Sequence, residues 1–485
     1  MNAGSGTQAP VGGVVGYSFA QVSGCSNNGA INLKSCIKIN RIGGVVGRGD
    51  GGVVNSTNNG AITASFTGAA GLDQVSMGGV MGFGSKEFNG NTNNADLTLN
   101  HPSTSKGVVY GGVVGYYSDQ TSGSKTTSGL NTGKVTFNSD ECTANSWVGG
   151  YAGYTNCPDE LSGITNEGSV VFNAKGTGGS YVGGVFGCIA KSVSLKNLKN
   201  ASTGTVCATR VAGKLHIGGV AGLCESTMTA SGCSNEAAVT IEAENKGTAQ
   251  FYMGGLVGYN DRASVLTSCS NSGALKVNSP TTSTAFLYMS GITCSSSAEG
   301  HLAFDGCKNF GDIYVNCEGK WRIGGIAAYT ASSGKATNCT VEADITVDCK
   351  TVTVLNLGGI IGETGTKQEF TGNSFKGVLT AVKEGTEVNV GGMTGSSTTT
   401  GPVTYSGCTV NAEISSYQPT HSGMFNGRGN KNAAFVFGTE TSPCKVVSGS
   451  ELNEALVEEL TDAALVGSAA TYTVTKTNIS VGAAE

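Results

Sequence analysis

Charge is scarce in this chain. Only 13% of its 485 residues are Asp, Glu, Lys or Arg, and the formal net charge is −5. A nucleic-acid partner needs a basic stripe or patch, and none is present. No apolar run reaches the roughly 20 residues of a membrane-crossing helix, so no transmembrane segment is expected. The opening Met1-Asn2-Ala3-Gly4-Ser5-Gly6 has neither the basic start nor the apolar stretch of a signal peptide, and it reads as the start of a trimmed fragment. The 16 cysteines contain no Cys-x-x-Cys pair, which removes the common zinc frames. No metal and no cofactor is expected. The four histidines, His101, His216, His301 and His421, share no offset and suggest no common site. No Pro/Ser-rich linker divides the chain, no Leu-x-x-Leu-x-Leu frame marks a leucine-rich repeat, and no outward Thr-x-Thr grid spans the repeats as an ice-binding face would require.

What the chain has is glycine, 77 residues of it, and the glycines are periodic. Copies of Gly-Gly-apolar-x-Gly begin at Gly12, Gly43, Gly78, Gly111, Gly149, Gly183, Gly218, Gly254, Gly324, Gly358 and Gly391, with degenerate copies at Ser290 and Ser422. These thirteen copies are spaced by 31 to 38 residues, about 34 on average. Such self-similarity excludes low-complexity disorder and marks one supersecondary unit stacked many times.

The residue before the first Gly is apolar in twelve of the thirteen copies, from Val11 through Val390. Two residues earlier the column is largely apolar again, as in Val108, Leu215, Phe251, Leu287, Trp321 and Leu355. Period 2 is the mark of a strand with one buried face. A second phrase follows each copy, as in Cys269-Ser270-Asn271-Ser272-Gly273-Ala274-Leu275-Lys276-Val277. Its Asn-x-Gly predicts a tight turn with Gly at φ > 0, and alternating residues after it predict another strand.

The fold expected is all-β: an elongated parallel β-solenoid of about 13 repeats of about 34 residues, with a small C-terminal cap containing a helix. At about 4.8 Å per coil it would be a rod on the order of 60 Å long. A β-propeller fits less well, since propellers have roughly four to eight blades. Residues 1–11 read as a lead-in, 12–437 as the repeat domain, and 438–485 as the cap or the start of a following module. The cap's helix is expected over 450–460, with Ser450 as its N-cap.

Two columns read as structural. Asn27, Asn58, Asn93, Asn131, Asn166, Asn235, Asn271 and Asn309 sit two before the turn Gly, where stacked amides hydrogen-bond from coil to coil. Cys25, Cys233, Cys269, Cys307, Cys339 and Cys408 sit four before it as small buried side chains. Cys317 and Cys349 are column-mates at a spacing compatible with a disulfide.

Function is sought on outward columns. The position two before the first Gly carries Trp147, Tyr181, His216, Tyr252 and Tyr288 in consecutive copies, then Arg322. Its neighbours point inward, so it is expected to point out, as an aromatic strip for a sugar or a protein partner. A second set, Tyr17, Phe83, Tyr116, Tyr154, Tyr259 and Tyr329, follows the glycines as core or rim. No catalytic residue is assigned. Asp312 and Asp344 are column-mates in neighbouring repeats with Glu342 close by; they offer an acid pair or a calcium site, and lone solvated groups are the better reading of them.

Met253-Gly254-Gly255-Leu256-Val257-Gly258-Tyr259-Asn260 with Cys269 to Val277 resembles the GLUG motif, found in repeated form in bacterial surface and secreted proteins that include adhesins. The resemblance implies an extracellular or cell-surface setting and transfers no catalytic residue. Three readings result. The first is a non-catalytic adhesin or stalk binding a glycan or a host or cell-surface protein, with a neighbouring domain or subunit at its open N-terminal coil. The second is a carbohydrate-active enzyme on a β-helix, and the third is a structural spacer.

Overall fold

The protein is seen here as a computed structural model that describes residues 9–36, 39–67, 74–104, 106–119, 125–157, 159–209, 213–242, 250–279, 285–294, 302–330, 334–365, 368–381, 384–399, 401–416, 420–430, 433–467 and 472–483. His301 lies outside them. The chain divides into two units, residues 1–249 with 256–259 and residues 250–255 with 260–485. Each is a parallel β-solenoid.

One coil of the first unit shows the plan. A lead strand, Ser146–Gly149, ends on the first glycine. A return strand, Ala152–Thr155, follows the glycine pair. Then come a side strand, Glu160–Ser162, a ladder strand, Ile164–Asn166, and a closing strand, Val170–Gly176. Each pairs in parallel with its counterpart in the next coil: Trp147 with Tyr181 and Val148 with Val182 on the lead strand, Asn131 with Asn166 on the ladder strand. Among the described residues there are seven lead strands in the first unit and six in the second, one for each copy of the glycine phrase. The last copy is displaced by one residue. Asn389 pairs with His421 and Gly391 with Gly423, so the phrase begins at Gly423, and His421, not Thr420, occupies the outer column.

The alternation has the expected cause. Ile62 and Ala64, Leu97 and Leu99, and Val135 and Phe137 are fully buried while Thr63, Thr98 and Thr136 between them are half-exposed. Each large apolar side chain so buried contributes about 1.5–3 kcal/mol, and none could be buried by one coil alone.

Glycine acts here through close approach. A Cβ on Gly187, in a return strand, would lie 2.6 Å from the Val148 nitrogen of the preceding coil's lead strand; on Gly222 it would lie 2.5 Å from Val182 N, and on Gly258 2.6 Å from Ile217 N. No other residue lets these backbones touch. The second glycine of each pair meets the ladder residue of its own coil, as Gly112 meets Asn131 at 2.6 Å.

Positive φ falls one corner earlier than expected. The Asn-x-Gly glycines such as Gly60 and Gly168 press instead on the preceding coil's turn backbone. The left-handed residues sit three before the ladder position: Gly24, Asn55, Gly90, Gly163, Asn197 and Gly232 in the first unit, and Ser268, Gly306, Asn338, Gly372 and Gly407 in the second. The column uses Gly and Asn, the residues that tolerate this region, with Ser268 the exception at φ 51°.

The C-terminal region differs from expectation. Over 450–460 there is no helix; Glu451–Leu452 and Ala455–Leu456 form an antiparallel hairpin around Asn453 and Glu454, at φ 51° and 66°. Two successive left-handed residues make the tight turn whose twist matches a hairpin. The helix among the described residues is Asp462–Leu465, capped by Thr461. Coiling continues past 437: Cys444–Val447 and Ile479–Gly482 stack in turn on the preceding strands.

Candidate functional site

The lead and return strands set the outer columns. Because the return strand lies across the outer face of the lead strand, the column two before the first Gly is roofed rather than free. Trp147 and Tyr181 are half-buried, while His216, Tyr252 and Tyr288 are only 1%, 4% and 5% exposed. The Arg322 side chain is 13% exposed. The expectation that these residues point into solvent fails for His216, Tyr252, Tyr288 and Arg322, and the glycine-permitted fold-back is the reason.

The residues are nonetheless brought together. In the first unit Trp147 stacks on Tyr181 at 5.9 Å between centroids, and Tyr181 meets His216 edge-on at 5.2 Å. Tyr154 and Tyr259, from return strands, cover Trp147 at 5.6 Å and His216 at 4.6 Å. In the second unit Tyr252 stacks on Tyr288 at 4.8 Å. Arg322 donates to the Tyr288 hydroxyl at 2.7 Å, and its guanidinium carbon lies 3.8 Å from the Phe286 centroid and 4.2 Å from that of Tyr329. It is held by the buried Glu363 through two hydrogen bonds of 2.6 and 2.8 Å. Asn356 also donates to Glu363 and accepts from Asn389 at 2.7 Å, and His421 Nδ1 bonds Asn389 at 2.9 Å. Burial pushes the titration of His216 well down and that of His421 down, so both rings stay neutral at neutral pH.

The second aromatic set forms a rim at Tyr17, Phe83, Tyr116, Tyr154 and Tyr329 and is buried at Tyr259. In the first unit it reads Tyr17, Arg48, Phe83, Tyr116, Tyr154 by register. Tyr17 is 40% exposed and the other four are half-exposed. Phe83 stacks on Tyr116 at 5.2 Å and Tyr116 on Tyr154 at 5.0 Å, both within 20° of parallel. Arg48 lies 5.0 Å from the Tyr17 centroid and 5.3 Å from that of Phe83. Asp50 fixes it, accepting from Arg48 Nε at 3.1 Å and from the Tyr17 hydroxyl at 2.6 Å. Burial opposes the charge of Asp50, but these bonds outweigh it and hold the carboxyl below its usual range. Arg48 and Glu363 interrupt the aromatic pattern of this column. The signal was their place in the column, the residue after the third glycine.

This geometry decides what the rim offers. Its ring faces are spent on one another, so solvent meets ring edges, hydroxyls and a guanidinium. Stacking on the face of a sugar needs an open ring face. Edge contact and hydrogen bonding to a protein surface do not.

The Asn column is a hydrogen-bonded ladder within each unit. From Asn27 to Asn166 each Nδ2 donates to the next Asn and to a carbonyl of its own turn: Asn58 to Asn93 at 2.8 Å and to Gly60 at 2.9 Å, Asn131 to Asn166 at 2.8 Å and to Gly133 at 2.8 Å. Asn27 opens it in the first unit, and Asn271 donates to Asn309 at 2.7 Å in the second. Asn200 also belongs, accepting from Asn166 at 2.9 Å and donating to Asn235 at 2.8 Å. It escaped the sequence pattern because two extra residues move its turn glycine to Gly204. After Asn309 the column becomes Val341, Phe375 and Val410.

Asp312 and Asp344 do not form an acid pair. Asp312 accepts from the Asp344 backbone N–H at 3.0 Å, and Asp344 from Val378 N–H at 2.8 Å, each tying one coil to the next. Cys317 and Cys349 are unbridged, as are the column cysteines, and most of these thiols are buried.

Residues 249–278 match the family model described as the GLUG motif. No curated protein and no solved structure matches the chain.

Proposed function

We propose that this GLUG-bearing β-solenoid is a non-catalytic stalk displayed outside the cell or on its surface, binding a protein partner along the Tyr17–Arg48–Phe83–Tyr116–Tyr154 rim. Trp147 and Tyr181 form its inner flank. The observation that carries the reading is the half-exposed, self-stacked row of rings with a fixed arginine, since aromatic and arginine side chains supply most interface energy. Glycan binding by the original strip, Trp147 to Arg322, is the weaker form of this proposal because its rings are buried or stacked. The exposure of Val14, Tyr17 and Phe19 on the first coil, 46%, 40% and 76%, supports contact there with a neighbouring domain or subunit.

The test is a paired screen of the labelled chain against a cell-surface protein array and a glycan array. A protein hit whose affinity falls at least about 30-fold in Arg48→Ala/Tyr116→Ala/Tyr154→Ala, with the thermal transition retained, supports the rim. Saturable glycan binding lost in the same variant would replace the protein by a glycan. No hit on either array would favour the spacer reading, and turnover of a glycan the enzyme reading.

A further inference from the structure

A cavity of about 570 Å³ opens on the outer face of the second unit. That volume lies within the roughly 300–1,000 Å³ range of small-molecule sites. Three consecutive coils build it from strands Ser374–Ala381, Thr409–Ser416 and Cys444–Val447. Register puts Ser374, Thr409 and Lys445 in one row and Lys376 beside Asn411 in the next. Phe375 and Val410, between these rows, are fully buried, so the rows point outward. Pro443 and Val447 form an apolar wall. Glu342 lies at one end, paired in register with Lys376.

In the first unit the outward amides satisfy one another: Asn59 donates to Asn28 and Asn94 to Asn59, both at 2.8 Å, and Asn138 donates to Asn100 at 2.8 Å. In the cavity the Lys376 and Lys445 ammonium groups form no ion pair among the described residues, and the Ser374, Thr409 and Asn411 side chains have no hydrogen-bond partner among them. Two unpaired cations, three uncommitted hydrogen-bonding groups and a small apolar wall are therefore turned toward one space.

We infer that this cavity binds an acidic saccharide, with a uronic-acid carboxylate between Lys376 and Lys445 and ring hydroxyls on Ser374, Thr409 and Asn411. A carboxylate or sulfate ester matches the two ammonium groups, and a hydroxyl-rich ring with one apolar face matches the row and the wall. Glu342 repels the anion and sets which end of the cavity it occupies. The inference is independent of the rim, since the two share no residue.

The experiment is calorimetric titration of the whole chain with trigalacturonate, its neutral counterpart trigalactose, a sulfated chondroitin oligosaccharide, and sodium sulfate. Saturable trigalacturonate binding is expected, weakened at least tenfold by Lys376→Ala/Lys445→Ala, weakened by Asn411→Ala and by added salt, and strengthened by Glu342→Gln. Both lysines are on the surface, so circular dichroism should show the variants folded. Tighter binding of the chondroitin oligosaccharide with the same dependence keeps the site and makes its ligand a sulfated sugar. Absence of saturable binding to either acidic sugar overturns the inference, as does binding that the lysine variant leaves unchanged. Equal binding of sodium sulfate, or of trigalactose, overturns it as well. The Arg48→Ala/Tyr116→Ala/Tyr154→Ala variant should titrate like the parent, which separates failure here from failure of the rim.

Discussion

Arg322 and Glu363 meet through two parallel hydrogen bonds, Nε to Oε2 at 2.6 Å and Nη2 to Oε1 at 2.8 Å, with side chains only 13% and 6% exposed. They come from a lead strand and from the return strand of the following coil, so the pair ties the fold-back shut. Removing one partner strands the other charge in a poorly solvated place. Glu363→Ala should cost about 3–5 kcal/mol, and replacing both residues by apolar ones much less. Urea unfolding of the two variants measures the difference. Equal losses would mean that the pair is solvated in solution.

The asparagine ladder should be more sensitive at its middle than at its end. Asn131→Val removes the acceptor of Asn93, the donor to Asn166 and the donor to Gly133, whereas Asn309 already faces Val341. A loss of about 1–3 kcal/mol is expected for Asn131→Val and a smaller one for Asn309→Val. Denaturant midpoints with unchanged slopes would report it.

Acid should destabilise the first unit through His216. Its folded-state titration is pushed well down, first by burial and then by Lys214, and it packs against Tyr181 and Tyr259. Below the unfolded value of about 6.5 the unfolded chain takes up a proton that the folded chain refuses. Stability therefore falls with acidification, by up to about 1.4 kcal/mol per pH unit until the folded ring itself protonates. His216→Phe should flatten the slope between pH 6.5 and 5, measured by urea midpoints at each pH.

The left-handed corner column makes a prediction of opposite sign. Ser268 holds φ 51° where the other left-handed residues of this column are Gly or Asn. Ser268→Gly should be neutral to stabilising by up to about 1 kcal/mol, because relief of strain outweighs the added freedom of the unfolded chain. Gly258→Ala should instead cost about 2 kcal/mol or more, since its Cβ would lie 2.6 Å from the Ile217 backbone and nothing flexible can yield. Thermal unfolding of the two variants compares the two effects.

The thiols should divide by burial. Burial raises the Cys294 and Cys317 thiols to about 12 and Cys349 to about 11. At pH 8 a thiol reagent should modify the partly exposed Cys25 and Cys207 first and leave these three intact until denaturant is added. Rapid native modification of Cys317 or Cys349 would show that the closing-strand corner opens.

The sequence alone determined the period, the strands, the inward columns and the asparagine ladder. Each is written as a recurrence in the chain, and a parallel coil turns an offset along the sequence into a column in space. Asn200 was missed and the last copy set one residue early because inserted or lost residues break a count but not a hydrogen-bonded register. Other features were decided only by tertiary structure. The glycine phrase was legible as a bend, but that the bend lays one strand across the outer face of another is a contact between coils. That contact turned an outward strip into a roofed one at His216, Tyr252 and Tyr288, and recruited Arg48 and Glu363. The hairpin at 451–456 displaced a helix that local spacing favoured, because strand stacking and two left-handed residues outweighed it. Periodicity names which residues share a column; packing decides whether that column meets solvent.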